Sequence, residues 1–208
     1  MGGDNISGPK NGQQSSPNSG ITTRYGAGKP GPIATKQGVQ QNLRVTGWPR
    51  EIVWSDFRDE AARPAGEDED AQINPVSSPT QAQTVRERGQ WKLAELELQI
   101  VVNPDDSWVV VSQKSDRLKA HEQGHFDIHG IIAGRDLIDA LRRLRARTNE
   151  RLGRDVARTM QRHQQSAQRM TNAYDEDTQH GTNATRQAAW ERQIRNAINN
   201  NGTLRAPD

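Results

Sequence analysis

The sequence predicts an α+β fold in which a small antiparallel sheet precedes the helices. Residues 93–102, LAELELQIVV, alternate apolar and polar side chains with the period of a half-buried strand. From about residue 115 onward, apolar residues instead recur at helical spacing. Because the strands come first and the helices follow as a block, the order favours α+β over an alternating α/β arrangement.

The folded domain is expected between two tails. Residues 1–42 are rich in Gly, Ser, Asn, Gln and Pro, and such a composition buries too little apolar surface to offset the entropy of ordering. We predict a disordered tail over residues 1–42, a folded domain over residues 43–200 and a flexible tail over residues 201–208. Within the domain, the acidic run EDED at 67–70 indicates a long acidic loop over about residues 59–83.

The strand region contains three apolar segments. Residues 51–57, EIVWSDF, predict the end of a strand followed by an apolar anchor. The strand at 93–102 is followed by NPDD at 103–106, where Pro104 suits a turn, and then by SWVVVSQ at 107–113. Two apolar runs joined by so short a turn predict an antiparallel hairpin.

Three helices are predicted after the hairpin. Ser115 or Asp116 is suited to cap the first helix at its N-terminus. A second helix is expected over about residues 150–173 and a third over about residues 184–199. Both carry apolar residues on one stripe, as helices packed against a core do.

Composition excludes several classes of function. The chain has 31% apolar residues and a net charge of +2, so there is little electrostatic case for a nucleic-acid partner. It has no cysteine, which excludes disulfides, thiolate metal sites and a cysteine nucleophile. There is no run of about 18 apolar residues and no signal-peptide pattern at the N-terminus. We expect a soluble protein without a membrane partner, either cytoplasmic or exported by a non-classical route.

The stretch HEQGHFDIH at 121–129 holds three of the five histidines. His121 and His125 are four residues apart, so a helix places both imidazoles on one face. With Glu122 they form the H-E-x-x-H arrangement, in which two imidazoles bind zinc and the glutamate acts on the bound water. His129 lies roughly 12 Å along the helix from His121 and is rotated by about 80°, which places it at the surface or beside a ligand. A helix with surface histidines and no metal is the competing interpretation.

A catalytic zinc ion needs a third protein ligand. YDEDTQHG at 174–181 predicts a loop between two helices, from which His180 can return to the helix face as that ligand. His163 lies among apolar positions and is expected to be partly buried, with a ligand role as the alternative. Tyr174 is a candidate donor to a developing oxyanion. Asp175 is suited to orient a ligand imidazole or, equally, to turn and capping chemistry.

Two motifs in this order resemble a known bacterial family. HEQGHFDI (121–128) and YDEDTQHG (174–181), with the downstream Gln187 and Trp190, are similar to predicted zinc-dependent proteases catalogued as a domain of unknown function. The resemblance extends over roughly residues 45–198. Two motifs with this separation are far more specific than H-E-x-x-H alone.

The resemblance implies a zincin-like domain that binds Zn²⁺ through His121 and His125. It implies Glu122 as the catalytic acid/base. It also implies His180 as the third zinc ligand, with Asp175 as its rival.

The expected function is therefore a zinc metallopeptidase acting on a protein or peptide. Glu122 would take a proton from the water and pass it to the leaving amine. Tyr174 would steady the oxyanion, and the strand at 107–113, if it forms a sheet edge, would pair with an extended substrate. One alternative is a non-catalytic, zinc-stabilised interaction module. Another is an effector or toxin domain delivered by a secretion machine, with the N-terminal tail as its delivery tag.

Overall fold

The computed structural model describes residues 39–207. The tail predicted over residues 1–42, and the delivery role assigned to it, thus lie almost wholly outside the described residues. Within residues 39–207 there are six strands: β1 (Asn42–Thr46), β2 (Arg58–Glu60), β3 (Ala71–Gln72), β4 (Pro75–Glu87), β5 (Gln90–Val102) and β6 (Trp108–Val110). The helices that follow are α1 (Asp116–His129), a π-helical continuation (Gly130–Asp136), α2 (Leu137–Arg142), α3 (Asn149–Thr178) and α4 (Ala184–Asn199). This order confirms the predicted α+β class.

The strands form two mixed three-stranded sheets rather than one antiparallel sheet. Their strand orders are β1-β5-β4 and β2-β6-β3. In each sheet the central strand has a parallel neighbour on one side and an antiparallel neighbour on the other. Because β5 and β6 lie in different sheets, the hairpin predicted between residues 93–102 and 107–113 is wrong.

The hairpin partner of β5 is β4, which lies mostly in the segment predicted as an acidic loop. The two strands are joined by Arg88 and Gly89, whose φ angles of 48° and 81° are those of a tight hairpin turn. β4 pairs with β5 from Pro75 opposite Val102 to Glu87 opposite Gln90. β4 is rich in Ser, Gln and Thr and half exposed, so backbone pairing rather than an apolar pattern holds it in the sheet.

The core confirms the alternation predicted for β5. Leu98 and Ile100 are fully buried, whereas Val101 between Ile100 and Val102 is 37% exposed. The buried face of this first sheet packs against α2 through Leu137, Ile138 and Leu141. Removing this apolar surface from water is the main force that holds sheet and helices together.

Helix α1 is enclosed on both sides. It begins at Asp116 because the hydroxyl of Ser115 accepts a hydrogen bond from the Leu118 backbone N–H at 3.3 Å. Phe126 packs into the core around the second sheet, and Ile128 packs among the helices around Trp190 of α4. The helix therefore presents its 121–125 segment from a fixed position. Among residues 39–207, no helix combines the length and apolarity needed to cross a membrane.

Candidate metal centre

Three side chains from two helices converge on one point. His125 Nε2 lies 2.8 Å from Asp175 Oδ1. His121 Nε2 lies 3.2 Å from the same oxygen and 3.2 Å from His125 Nε2. The three potential ligand atoms all lie within 4.8 Å of one another, so the group is able to hold a metal ion. Burial acts to raise the pKa of Asp175, but the hydrogen bonds from His121 and His125 outweigh it and hold this pKa far below its usual range.

Two glycines allow the helices to approach each other at this point. A Cβ atom added to Gly124 of α1 would overlap the hydroxyl group of Tyr174 on α3. Gly181 follows α3 at φ +73°, and a Cβ atom there would lie 2.9 Å from the Cβ of His121. The glycine at position 124 of the H-E-x-x-H motif is thus a packing requirement, because the Tyr174 ring next to the His121 imidazole needs the space.

His180 lies at the edge of the group rather than within it. Its Nδ1 is 2.6 Å from Glu69 Oε1 and 3.9 Å from Asp175 Oδ1, and its side chain is 48% exposed. Of the two residues predicted to compete as third ligand, Asp175 is therefore the one beside the imidazoles. The reason is the length of α3, which continues to Thr178 instead of ending near residue 173. Asp175 thus faces α1 from a helix, whereas His180 follows a turn in which Gln179 and His180 have φ of 50° and 51°.

Glu122 carries a buried carboxyl group next to His121 and His125. Its side chain lines the cleft in front of His125 and Asp175, and the residue is only 2% exposed. Its Oε2 atom has no hydrogen-bond partner among residues 39–207. Burial raises the pKa of Glu122 to about 8, which the neighbouring His121 opposes and the negative charges of Glu69 and Asp175 reinforce. Leaving a buried polar atom such as Glu122 Oε2 without a partner lowers the stability of the fold. Such an atom in a native structure therefore indicates a function.

Tyr174 is not placed as an oxyanion donor. The residue is fully buried, and its ring stacks on His121 with the ring centroids 4.7 Å apart. Its hydroxyl group donates to the backbone oxygen of His121 at 3.2 Å and accepts from Gln187 Nε2 at 2.8 Å. Burial raises the pKa of Tyr174. The predicted oxyanion role needs a hydroxyl group in the cleft. The Tyr174 hydroxyl group instead contacts the backbone oxygen of His121 and the amide of Gln187.

The two remaining candidate histidines have other contacts. His129 is 4% exposed, and its Nε2 lies 2.7 Å from the hydroxyl oxygen of Ser77 on β4. Burial lowers the pKa of His129 to about 4. It is therefore a buried link between α1 and β4, not a surface group. His163 Nδ1 contacts the backbone oxygen of Thr159 in its own helix at 2.9 Å.

A cleft of about 180 Å³ is lined by Glu122 and by two of the three converging side chains, His125 and Asp175. One wall is the segment that contains β3, an edge strand of the second sheet. The opposite wall is α3. The lining is mostly polar and includes Gln72, Asn74, Gln164, Gln168 and Thr171.

Two residues of the site were not predicted as such. Glu69, from the acidic run at 67–70, lines the cleft, and burial raises its pKa while His180 opposes the shift. The acidic run was its only signal in the sequence. Gln187 Oε1 lies 3.3 Å from His121 Nδ1. Gln187 was part of the pattern that carried the family resemblance, but the pattern did not indicate its contact.

Comparison with known proteins gives one match. Residues 103–181 match the model of a family described as "Bacterial protein of unknown function (DUF922)". The matched segment runs from the end of β5 to Gly181 and contains His121, Glu122, His125 and Asp175, whereas Glu69 and Gln187 lie outside it. The family's description names no activity. No curated protein and no solved structure matches the chain.

Proposed function

We propose that this protein is a zinc-dependent metallopeptidase. The observation that carries the proposal is the buried carboxyl group of Glu122, with an unpartnered oxygen, beside a group of two imidazoles and one carboxylate. A purely structural helix gains nothing from such an arrangement, because burying an unpartnered carboxyl group costs stability. A general acid/base, by contrast, needs a carboxyl group with a free oxygen that faces the reacting groups.

The donor set fits zinc. Two imidazole nitrogens and one carboxylate oxygen are a ligand set of catalytic zinc sites, which keep one further position open. Calcium and magnesium prefer sites made of oxygen atoms. With His121, His125 and Asp175 as ligands, a zinc ion would act as a Lewis acid on a peptide carbonyl and activate a water molecule.

Glu122 performs the proton transfers in this proposal. Its carboxylate takes the proton of the attacking water and returns it to the nitrogen of the leaving amine. Ile73 donates a backbone hydrogen bond to the Glu122 carboxyl group, and Oε2 remains for the proton. A divalent cation nearby would favour the ionised form of Glu122 that this step needs.

The segment that contains β3 is the wall along which an extended peptide would lie. The predicted pairing of a substrate with residues 107–113 is wrong, because β6 lies between β2 and β3 within residues 39–207 and has no free edge. Gln72, Ile73 and Asn74 line the cleft. A peptide lying along this wall would pass in front of Glu122. The backbone N–H groups of Ile73 and Asn74 already bond to Glu122 and Ser107 Oγ, so main-chain pairing would contribute little to its binding.

The proposal predicts that Glu122→Gln retains zinc but loses hydrolysis. Glutamine has nearly the same shape and cannot take up a proton, so cleavage should fall by at least about 100-fold, the range expected for a general acid/base. Metal analysis and digestion of a broad peptide library by the wild type and the variant measure both properties. Glu176→Gln, an exposed position on α3, is the matched control and should change neither. Wild-type cleavage rates in Glu122→Gln would refute the mechanism.

A non-catalytic zinc module is the alternative favoured by one contact. His180 Nδ1 is 3.9 Å from Asp175 Oδ1, close enough for a small movement to bring it to the metal as a fourth ligand. The two proposed functions predict different effects of His180→Ala on zinc affinity. The peptidase proposal predicts zinc affinity close to that of the wild type, and Asp175→Ala should lose it. A large loss in His180→Ala, together with an inactive wild type, would favour the structural module.

A further inference from the structure

A buried polar cluster contacts Nδ1 of His121, the ring nitrogen other than the one that faces His125 and Asp175. It consists of Tyr174 from α3 and Gln187 from α4, which are 0% and 6% exposed. The Nε2 atom of His121 faces His125 and Asp175, and its Nδ1 atom faces Gln187. The cluster therefore contacts the side of the imidazole that a metal ion would not use.

The hydrogen bonds of the cluster fix the orientation of the Gln187 amide. Its Nε2 donates to the Tyr174 hydroxyl group at 2.8 Å and to Glu191 Oε1 at 3.2 Å. Both amide hydrogens are thereby used, and a carboxylate such as Glu191 can only accept. The single hydrogen of the Tyr174 hydroxyl group has two acceptors, the His121 backbone oxygen at 3.2 Å and Gln187 Oε1 at 3.0 Å. Rotating the amide by 180° would set the Gln187 oxygen against the Glu191 carboxylate.

The fixed amide favours one of the two positions for the hydrogen of His121. Gln187 Oε1 lies 3.3 Å from His121 Nδ1, and an amide oxygen can only accept. Gln187 therefore favours the hydrogen on Nδ1, whereas Asp175 Oδ1, 3.2 Å from Nε2, favours the opposite tautomer in the metal-free protein. The opposite tautomer would place a hydrogen in the position of the metal and block coordination through Nε2.

We propose that Gln187 is a positioning residue that selects the metal-binding tautomer of His121, with Tyr174 and Glu191 holding its amide in the required orientation. This inference rests on the proposed metal site, but it does not depend on peptide hydrolysis. Tyr174 also fixes the plane of the His121 imidazole, because its ring stacks on the imidazole with an interplanar angle of 17°. Partners of this kind on the far ring nitrogen typically change metal affinity by about 10–100-fold.

Two variants test the role of the amide oxygen. Gln187→Leu removes the acceptor. Gln187→Glu combined with Glu191→Gln keeps it and restores a donor where Glu191 would otherwise repel the new carboxylate. We expect Gln187→Leu to lower zinc affinity by about 10–100-fold, measured by competition with a chelator on the full chain. The double variant should bind zinc about as well as the wild type. Gln193→Leu, at an exposed position of the same helix, is the matched control and should leave the affinity unchanged.

The tautomer itself provides a readout without metal. In ¹⁵N NMR spectra of the metal-free protein, Asp175 Oδ1 competes for a hydrogen on Nε2, so the test is the relative population of the two tautomers of His121. The Nδ1–H population should be equal in the wild type and in Gln193→Leu and lower in Gln187→Leu. Wild-type zinc affinity in Gln187→Leu, or a wild-type His121 tautomer in that variant, would overturn the proposal. Equal losses of affinity in Gln187→Leu and in the double variant Gln187→Glu/Glu191→Gln, matched by equal losses of folding stability, would show a merely structural role and overturn it too.

The same experiments separate this inference from the proposed function. If the wild type fails to bind zinc, the metal site is wrong whatever the tautomer of His121. If the wild type binds zinc and Gln187→Leu loses affinity while no peptide is cleaved, the positioning role stands and the peptidase proposal fails.

Discussion

At the scale of residues, Gly124 shows how α1 depends on the absence of a side chain. It lies between His121 and His125, at the point where Tyr174 of α3 comes closest. Tyr174 in turn stacks on His121 and bonds to its backbone oxygen. A side chain at position 124 would therefore displace Tyr174 and, with it, the imidazole of His121.

Gly124→Ala should destabilise the protein and weaken zinc binding. The added methyl group overlaps a fully buried ring, and overpacking of this kind costs about 1–3 kcal/mol. The gain in helix propensity, about 1 kcal/mol, offsets only part of it. Urea unfolding and chelator competition measure the two effects. Gly202→Ala is the matched control, since the nearest atom to its new Cβ would be 3.7 Å away; it should be neutral.

The two histidines and Glu122 could be predicted from the sequence because all three lie within one helical turn and a half. Their geometry follows from the pitch of α1 alone. The choice between Asp175 and His180 could not be made in this way, since it depends on where α3 ends. Nor could the contact of Gln187 with His121, 66 positions apart, because it requires the packing of α1 against α4.

At the scale of elements, the C-terminal end of α3 decides whether Asp175 or His180 lies beside His121 and His125. The helix stops at Thr178, and Gln179 and His180 both take the left-handed conformation before Gly181. Residues other than glycine pay about 1–2 kcal/mol for this conformation. Such a turn persists when surrounding contacts over-determine it. Here the contact of His180 Nδ1 with Glu69 Oε1 and the packing of Gly181 against His121 do so.

Gln179→Gly should stabilise the protein. Glycine adopts the left-handed conformation without strain and is the preferred residue at such helix ends. The expected gain in the free energy of unfolding is about 1 kcal/mol, seen as a higher midpoint in urea. Gln165→Gly, at an exposed position inside the same helix, should have the opposite sign and cost about 1 kcal/mol. Equal effects at the two positions would contradict this account of the turn.

The sheets show which elements a sequence pattern detects. β5 was predicted because one of its faces is buried and the other is not. β4 was missed because Ser, Thr and Gln fill it and its prolines, Pro75 and Pro79, argue against a strand. The register of the β4–β5 pair shifts directly after Pro79, which accommodates the missing N–H. Residues 75–87 form a strand because they pair with β5, and the local sequence pattern does not indicate that pairing.

At the scale of the whole molecule, His129 couples folding to pH. It joins α1 to Ser77 of β4, so protonation acts on the contact between helix and sheet. Its pKa falls from an ordinary 6.5 to about 4 on burial, so the unfolded chain binds a proton more readily than the folded protein does. The stabilising contribution is complete above pH 6.5 and is lost progressively as the pH falls from 6.5 to 4.

His129→Gln should flatten this part of the pH profile. The lost contribution amounts to about 3 kcal/mol across the window, and glutamine does not titrate there. Urea unfolding of the wild type and the variant at several pH values between 4 and 7 measures it. The difference between the two proteins isolates His129, because the other titrating groups are shared. Parallel profiles would show that His129 does not titrate as its burial implies.

The enclosure of α1 has a consequence for the order in which parts of the molecule open. The 121–125 segment belongs to a helix that packs around the second sheet through Phe126 and among the helices through Ile128. The turn at 179–183 has mostly exposed residues and buries less apolar surface. Segments with few buried apolar contacts open at a lower free energy than packed helices do. We therefore expect faster amide hydrogen exchange in this turn than in the 121–125 segment.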